Sequence, residues 1–198
     1  MYSEIWNWEK CKDKIRTLRG RLGFPDTSVL KFLGLSLFLE DGRIHDDLRQ
    51  TFCSNIKPSV YCILSGYADA HPMPETRRLV SFAQLWGGRS YQSVFAQRVA
   101  KPIERVFGSK ASTIHQAAKL LGGEKVSYGD CSVKIYSLPL VPITIVLWTR
   151  TSEFPASASV LFDSSANNYL STEQLVMLSE LTSVRLRHAY EVLITERR

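Results

Sequence analysis

The stretch LPLVPITIVLWTRTSEFPASASVLFD, Leu138 to Asp163, sets two apolar runs on either side of a polar Thr-Arg-Thr-Ser-Glu-Phe-Pro turn. Ile143 to Trp148 is apolar except at Thr144, a pattern that predicts a central strand buried on both faces, and Ala158 to Phe162 is placed to pair back across the turn. Two strands joined through a short polar turn run antiparallel. With the helical periodicity that surrounds them, they predict an α+β fold: a mostly antiparallel sheet packed by several helices.

Working outward, Ser171 and Gln174 form an S-x-x-Q capping box that opens a C-terminal helix carrying Leu175, Leu178, Leu181 and Val184 toward the sheet. Upstream, Val126 with Tyr128 and Val133 with Ile135 alternate around Gly129-Asp130 as strands. Ser109 to Leu121 reads as a helix closed by Gly122-Gly123. Before it, Tyr91, Phe95, Val99, Ile103 and Val106 form an amphipathic stripe that Pro102 is expected to bend or break. Leu79 to Leu85 predicts a strand, His71-Pro72-Met73-Pro74 a rigid connector, and Pro58 the start of a helix continuing through Tyr67. Leu33, Leu35, Leu37 and Leu39 alternate as one strand that returns through Asp41-Gly42 to Ile44, and Trp6 to Leu22 reads as a basic helix. The domain reading is an N-terminal helical segment over 1–29 and a single α+β domain over 30–198.

A chain of 198 residues, 44% hydrophobic and 22% charged, buries roughly 70% of its unfolded surface and needs no staples. Cys11, Cys53, Cys62 and Cys131 form no C-x-x-C pair, and no apolar leader precedes them, so the expectation is reduced thiols in a cytoplasmic protein. No apolar run reaches the length of about 20 residues that a membrane span needs. A net charge of +6 is spread over separate groups: Arg16, Arg19 and Arg21; Arg77 and Arg78; Arg98, Lys101 and Arg105; and Arg185, Arg187, Arg197 and Arg198. These read as solvated faces, and without an RRM, KH or zinc-finger pattern they do not indicate nucleic-acid binding.

His45, His71, His115 and His188 lie on separate elements without ligand spacing, so no metal site is expected of this chain. There is no G-x-S-x-G elbow, phosphate loop or G-x-G-x-x-G fingerprint, and no catalytic residue is assigned. Glu153 and Asp163 do not make an acid pair, since an extended strand between them separates the two by about 20 Å. Asp163 instead caps the polar turn over 164–168. The candidate contact surface is the loop Trp86, Gly87, Gly88, Arg89 and Tyr91 together with Arg98, and with Lys101 behind it. Glycines let a partner approach the backbone there, the aromatics offer flat apolar faces, and the arginines grip carboxylate or phosphate groups of an acidic partner. The C-terminal helix with Arg185 and Arg187 is the second candidate surface.

Several phrases together resemble domain-of-unknown-function family 3786: Leu79-Val-Ser-Phe-Ala-Gln-Leu, Gly87-Gly88 with Tyr91 and Phe95, Leu138-Pro139 with Val141-Pro142, Glu153-Phe154-Pro155, Leu161-Phe162-Asp163, Ser165-Ala166, Tyr169-Leu170 and Thr172-Glu173. The resemblance spans Leu30 to Leu186. It implies a context of anaerobic bacteria and archaea, where some members carry a four-cysteine iron-sulfur segment of the kind seen in corrinoid iron-sulfur proteins. Only Cys11 precedes the domain here, so no cluster is expected on this chain, and a corrinoid would be reached through a partner. The resulting expectation is a non-catalytic accessory or binding protein that docks on a corrinoid- or redox-dependent protein, or holds its cofactor. The alternative is a small-molecule-transforming enzyme with its site between the Trp86 loop and the sheet.

Overall fold

A computed structural model describes residues 2–195, so Arg197 and Arg198 of the last basic group lie outside the described residues. The chain starts with α1 (Tyr2–Ile5) and α2 (Trp8–Arg16), the latter capped by the Asn7 side chain, which accepts from the Lys10 amide. The helix ends there rather than at Leu22. Leu18 and Leu22 are buried from a following series of turns, where Leu22 takes a φ of 48°. A meander follows: β1 (Val29–Phe32), β2 (Leu35–Phe38), β3 (Ile44–Asp46) and β4 (Thr51–Cys53) pair antiparallel in order. The leucine run is therefore two strands, because Leu33 (φ 50°) and Gly34 (φ 66°) make a two-residue hairpin turn in which both central residues are left-handed. The Asp41-Gly42 turn joins β2 to β3 as the sequence predicts.

Pro58 sits in the first turn of α3 (Lys57–Ala68). The strand predicted from Leu79 stops early: β5 is Leu79–Ser81, and Phe82–Gln84 is a 3-10 turn, since Gln84 folds back to accept from the Ser81 amide. The amphipathic stripe forms α4 (Gln92–Phe95), a π turn over Ala96–Ala100 and α5 (Lys101–Phe107). Pro102 does not break the run: a π turn closed by the Lys101 amide on the Ala96 carbonyl stands just before it, and the proline falls in the first turn of α5. α6 (Thr113–Leu120) precedes β6 (Glu124–Val126), β7 (Cys131–Leu138), β8 (Val141–Trp148) and β9 (Ser157–Asp163). The short α7 (Ala166–Tyr169) leads to α8 (Thr172–Thr195), whose capping box is in place: Ser171 Oγ accepts from the Gln174 amide and Gln174 Oε1 from the Ser171 amide.

β5 to β9 form a second antiparallel sheet in the order β5-β9-β8-β7-β6, with β8 at its centre and buried from Val141 to Leu147. The fold is α+β, two antiparallel sheets of four and five strands packed with helices. Ile143, Ile145 and Leu147 are buried, each stabilising the fold by roughly 1.5–3 kcal/mol relative to exposure. One apolar cluster runs from Ile15, Leu18 and Phe24 of the N-terminal segment through both sheets to Leu186 and Ala189 of α8. The described residues hold no helix long and apolar enough to cross a membrane.

Arg185 departs from its reading as a solvated charge. It is only 2% exposed, midway along α8, and its Nε donates to the Leu33 carbonyl at 2.9 Å and its Nη2 to the Gly34 carbonyl at 3.0 Å. Both Nη atoms meet the Asp46 carboxylate at 2.6 Å. Asp46 also accepts from the Leu48 and Arg49 amides. Burial pushes the Asp46 carboxyl up, but the Arg185 guanidinium outweighs it and holds the group below the usual carboxylate range. Replacing one partner would leave the other charge buried and unpaired, so Arg185→Met should cost about 3–5 kcal/mol in urea unfolding, whereas Arg185→Met with Asp46→Leu should cost less than the sum of the two single changes. Additive costs would show that the pair is not coupled.

Candidate functional site

The loop after β5 is stapled at its two ends. Phe82 before it and Phe95 after it stack with ring centroids 4.2 Å apart, and both rest on Phe162 of β9. Gly88 lies against this staple, and a Cβ there would come within 1.9 Å of the Phe82 carbonyl oxygen, so only glycine fits. The Trp86 backbone is held on both sides: its amide donates to Asn167 Oδ1 at 3.0 Å and its carbonyl accepts from the Thr172 hydroxyl. Its indole is nonetheless 85% exposed. The backbone is fixed while the ring faces solvent, which is the reverse of a Trp serving as a core anchor.

Beside the indole is a groove of about 760 Å³. One wall is Trp86, Gly87, Tyr91, Val94 and Arg98; the other is the N-terminal part of α8, with Thr172, Val176, Met177 and Glu180. Of the residues expected to form the contact surface, Trp86, Gly87, Tyr91 and Arg98 come together here. Gly88 is buried behind the loop, and Arg89 is exposed but outside the groove lining. Of the three cations expected at this surface, two are matched by acids. Arg98 is paired with Glu180 at 3.3 Å and Lys101 with Glu104 at 2.7 Å, and Glu173 adds a further acid to the lining. The groove is thus apolar in its floor and mixed in charge at its rim. It is walled by α8, not by the sheet against which the enzymatic alternative places its site. Sequence reading missed this wall, although a signal was present: Val176 and Met177 are apolar yet lie off the stripe that carries the buried Leu175 and Leu178.

Asp163 is a structural acceptor. Its Oδ1 takes hydrogen bonds from the Ser165 amide and hydroxyl, as the turn-capping reading requires, and also from the Thr76 amide and hydroxyl, while Oδ2 takes the Arg77 amide at 2.8 Å. The contacts to Thr76 and Arg77 were not readable from the sequence, because they join segments far apart along the chain. Burial raises this carboxyl, but the hydrogen bonds from Ser165 and Thr76 outweigh it and bring its pKa down to about 2.

Cys11 and Cys62 are buried and Cys53 and Cys131 partly exposed, and none of the four is in a disulfide. Among the described residues no group of His, Cys, Asp or Glu is arranged to hold a metal ion. A family model described as Domain of unknown function (DUF3786) matches residues 21–185. No curated protein and no solved structure matches the chain.

The Asp163 cluster predicts a pH signature. A carboxyl with a folded pKa below its unfolded value of about 4 stabilises the fold above that value and loses the contribution as pH falls toward about 2, here on the order of 2 kcal/mol. In denaturant titrations, Asp163→Asn should be less stable than the native chain near neutral pH, with the gap closing between roughly pH 4 and pH 2. A gap that stays constant over that range would contradict the assignment.

Proposed function

We propose that this chain, which belongs to the DUF3786 family, is a non-catalytic accessory or binding protein that receives a segment of a partner protein in the groove between the Trp86 loop and α8. The observation that carries the reading is Trp86, whose backbone is bonded on both sides while its ring stands exposed at the lip of an apolar groove. Large exposed aromatics cost solvation, and a backbone already fixed beneath one lowers the ordering cost of binding. Tryptophan is also among the residues that concentrate binding energy at interfaces. Met177 supplies a deformable floor beside Val176 and Val94, suited to the apolar side chains of an incoming helix or extended segment.

The partner chemistry this favours is an amphipathic segment with an apolar anchor, not a strongly acidic surface, since Arg98 is already matched by Glu180 and Glu173 offers a site for a basic group. Arg89 stands beside the groove for a single carboxylate at the edge of the contact. The partner class we propose is the one the family resemblance implies, a corrinoid- or redox-dependent protein of anaerobic metabolism, with any corrinoid held by that partner.

A photo-crosslinking residue at Val94 identifies the partner, and calorimetry then measures its affinity. Trp86→Ala with Arg89→Ala should weaken binding by about 2 kcal/mol or more, roughly 30-fold, with the Arg89 share shrinking as salt rises. Full affinity in the folded double variant would place the contact elsewhere.

A further inference from the structure

The connector after α3 is bound far more firmly than a link between two elements requires. The Asn168 side chain donates to the His71 carbonyl at 3.1 Å, and the Tyr169 hydroxyl accepts from the Met73 amide at 2.8 Å and donates to the Met73 carbonyl at 2.5 Å. The Asp163 carboxylate then fixes the Thr76 and Arg77 amides. Despite this, Arg77 takes a φ of 60°, a left-handed conformation that side chains other than those of glycine and asparagine seldom adopt. Strain of this kind persists only where the surroundings over-determine it, and it concentrates at binding and switch sites.

The strap sets Glu75 and Arg77 beside Lys134 and Tyr136, which stand two residues apart on β7 and so share one face of the sheet. Lys134 Nζ donates to Glu75 Oε2 at 2.7 Å and to the Tyr136 hydroxyl at 2.8 Å, and that hydroxyl donates to Glu75 Oε1 at 2.6 Å. Burial raises the Glu75 carboxyl, but these two donors outweigh it and keep it below its ordinary range. Together these groups line an open pocket of about 420 Å³ with Met73, Pro74 and Leu140 as its apolar part. Glu75 answers the charge of Lys134, which leaves Arg77 as the excess cation of the lining.

We infer that this pocket binds a small organic anion, a carboxylate or phosphate ester with a compact apolar body. The Arg77 fork takes the oxyanion, Met73 and Leu140 take the body, and the Glu75–Lys134–Tyr136 ring fixes the polar floor. The strap explains the strain: Asp163 and Tyr169 hold the backbone so that Arg77, which makes no ion pair among the described residues, lines the pocket. This site lies on the β7 side of the molecule with its own lining residues, and it stands or falls independently of the groove beside Trp86.

The test titrates the full chain with phenyl phosphate, benzoate and inorganic phosphate, following the amide signals of residues 75–77 and 134–136 by NMR. At least one aromatic anion should shift these signals saturably and bind more tightly than inorganic phosphate, and the relative affinities of phenyl phosphate and benzoate tell a phosphate site from a carboxylate site. Arg77→Gly is the decisive variant, because glycine adopts a φ near 60° without strain, so the fold is kept while the guanidinium is lost. It should weaken binding at least tenfold, Arg77→Lys should restore only part of the affinity, and Arg89→Ala should change nothing. The proposal is overturned if neither aromatic anion shifts these signals at about 10 mM, a generous limit for weak binding, or if Arg77→Gly binds as well as the native chain.

Discussion

A guanidinium buried in the middle of a 24-residue helix has to find acceptors within reach, and the four-stranded sheet supplies them. Arg185 meets a carboxylate and two backbone carbonyls, and those carbonyls belong to the tightest turn of that sheet, at Leu33 and Gly34. The left-handed pair at Leu33-Gly34 presents both carbonyls to α8, and the Gly34 carbonyl accepts from the Asp47 amide at 2.9 Å as well, so it serves the sheet and the helix together. Asp46 completes the arrangement by accepting from the Leu48 and Arg49 amides as well, so one carboxylate ends β3, shapes the following turn and neutralises the helix charge. Arg49 reaches Glu191 at 2.5 Å and adds a surface pair to the same junction, whose contribution is small beside the buried one.

Fixing α8 has consequences at its other end. The helix also packs on α6 and α3, and its first turns form one wall of the groove beside Trp86. The opposite wall depends on the Phe82–Phe95 stack and on the bonds that tie the Trp86 backbone to Asn167 and Thr172. The Phe82–Phe95 stack and the Asn167 bond lie outside the groove lining, while the Thr172–Trp86 bond and the Arg98–Glu180 pair tie its two walls to each other. Preorganisation of this sort concentrates binding energy, because little is lost in ordering the surface when a partner arrives. The strap over β7 follows the same logic by a different route, with Asp163 holding backbone amides so that side chains are displayed.

What the sequence disclosed and what it withheld divide along physical lines. β8 and β9, the Ser171–Gln174 capping box, Pro58 in the first turn of α3 and the Asp41-Gly42 turn all depend on residues a few positions apart, and all were legible. The Leu33-Gly34 turn was hidden by an uninterrupted leucine alternation, and the π turn before Pro102 by a stripe whose spacing fits an ordinary helix. The burial of Arg185 was invisible because Asp46 lies 139 positions away. At the site, glycines and aromatics marked the Trp86 loop, but its pairing with α8, the matching of Arg98 by Glu180 and the burial of Gly88 are tertiary facts that no local pattern carries.

Amide hydrogen exchange of the folded chain, alone and with the captured partner, tests the docking account most directly. The account predicts that exchange slows over residues 86–98 and 172–180 and is unchanged in the second half of α8, where the Arg185 contacts already hold the helix in the free chain. Slowing confined to the four-stranded sheet or to the end of α8, with the Trp86 loop exchanging as before, would contradict it.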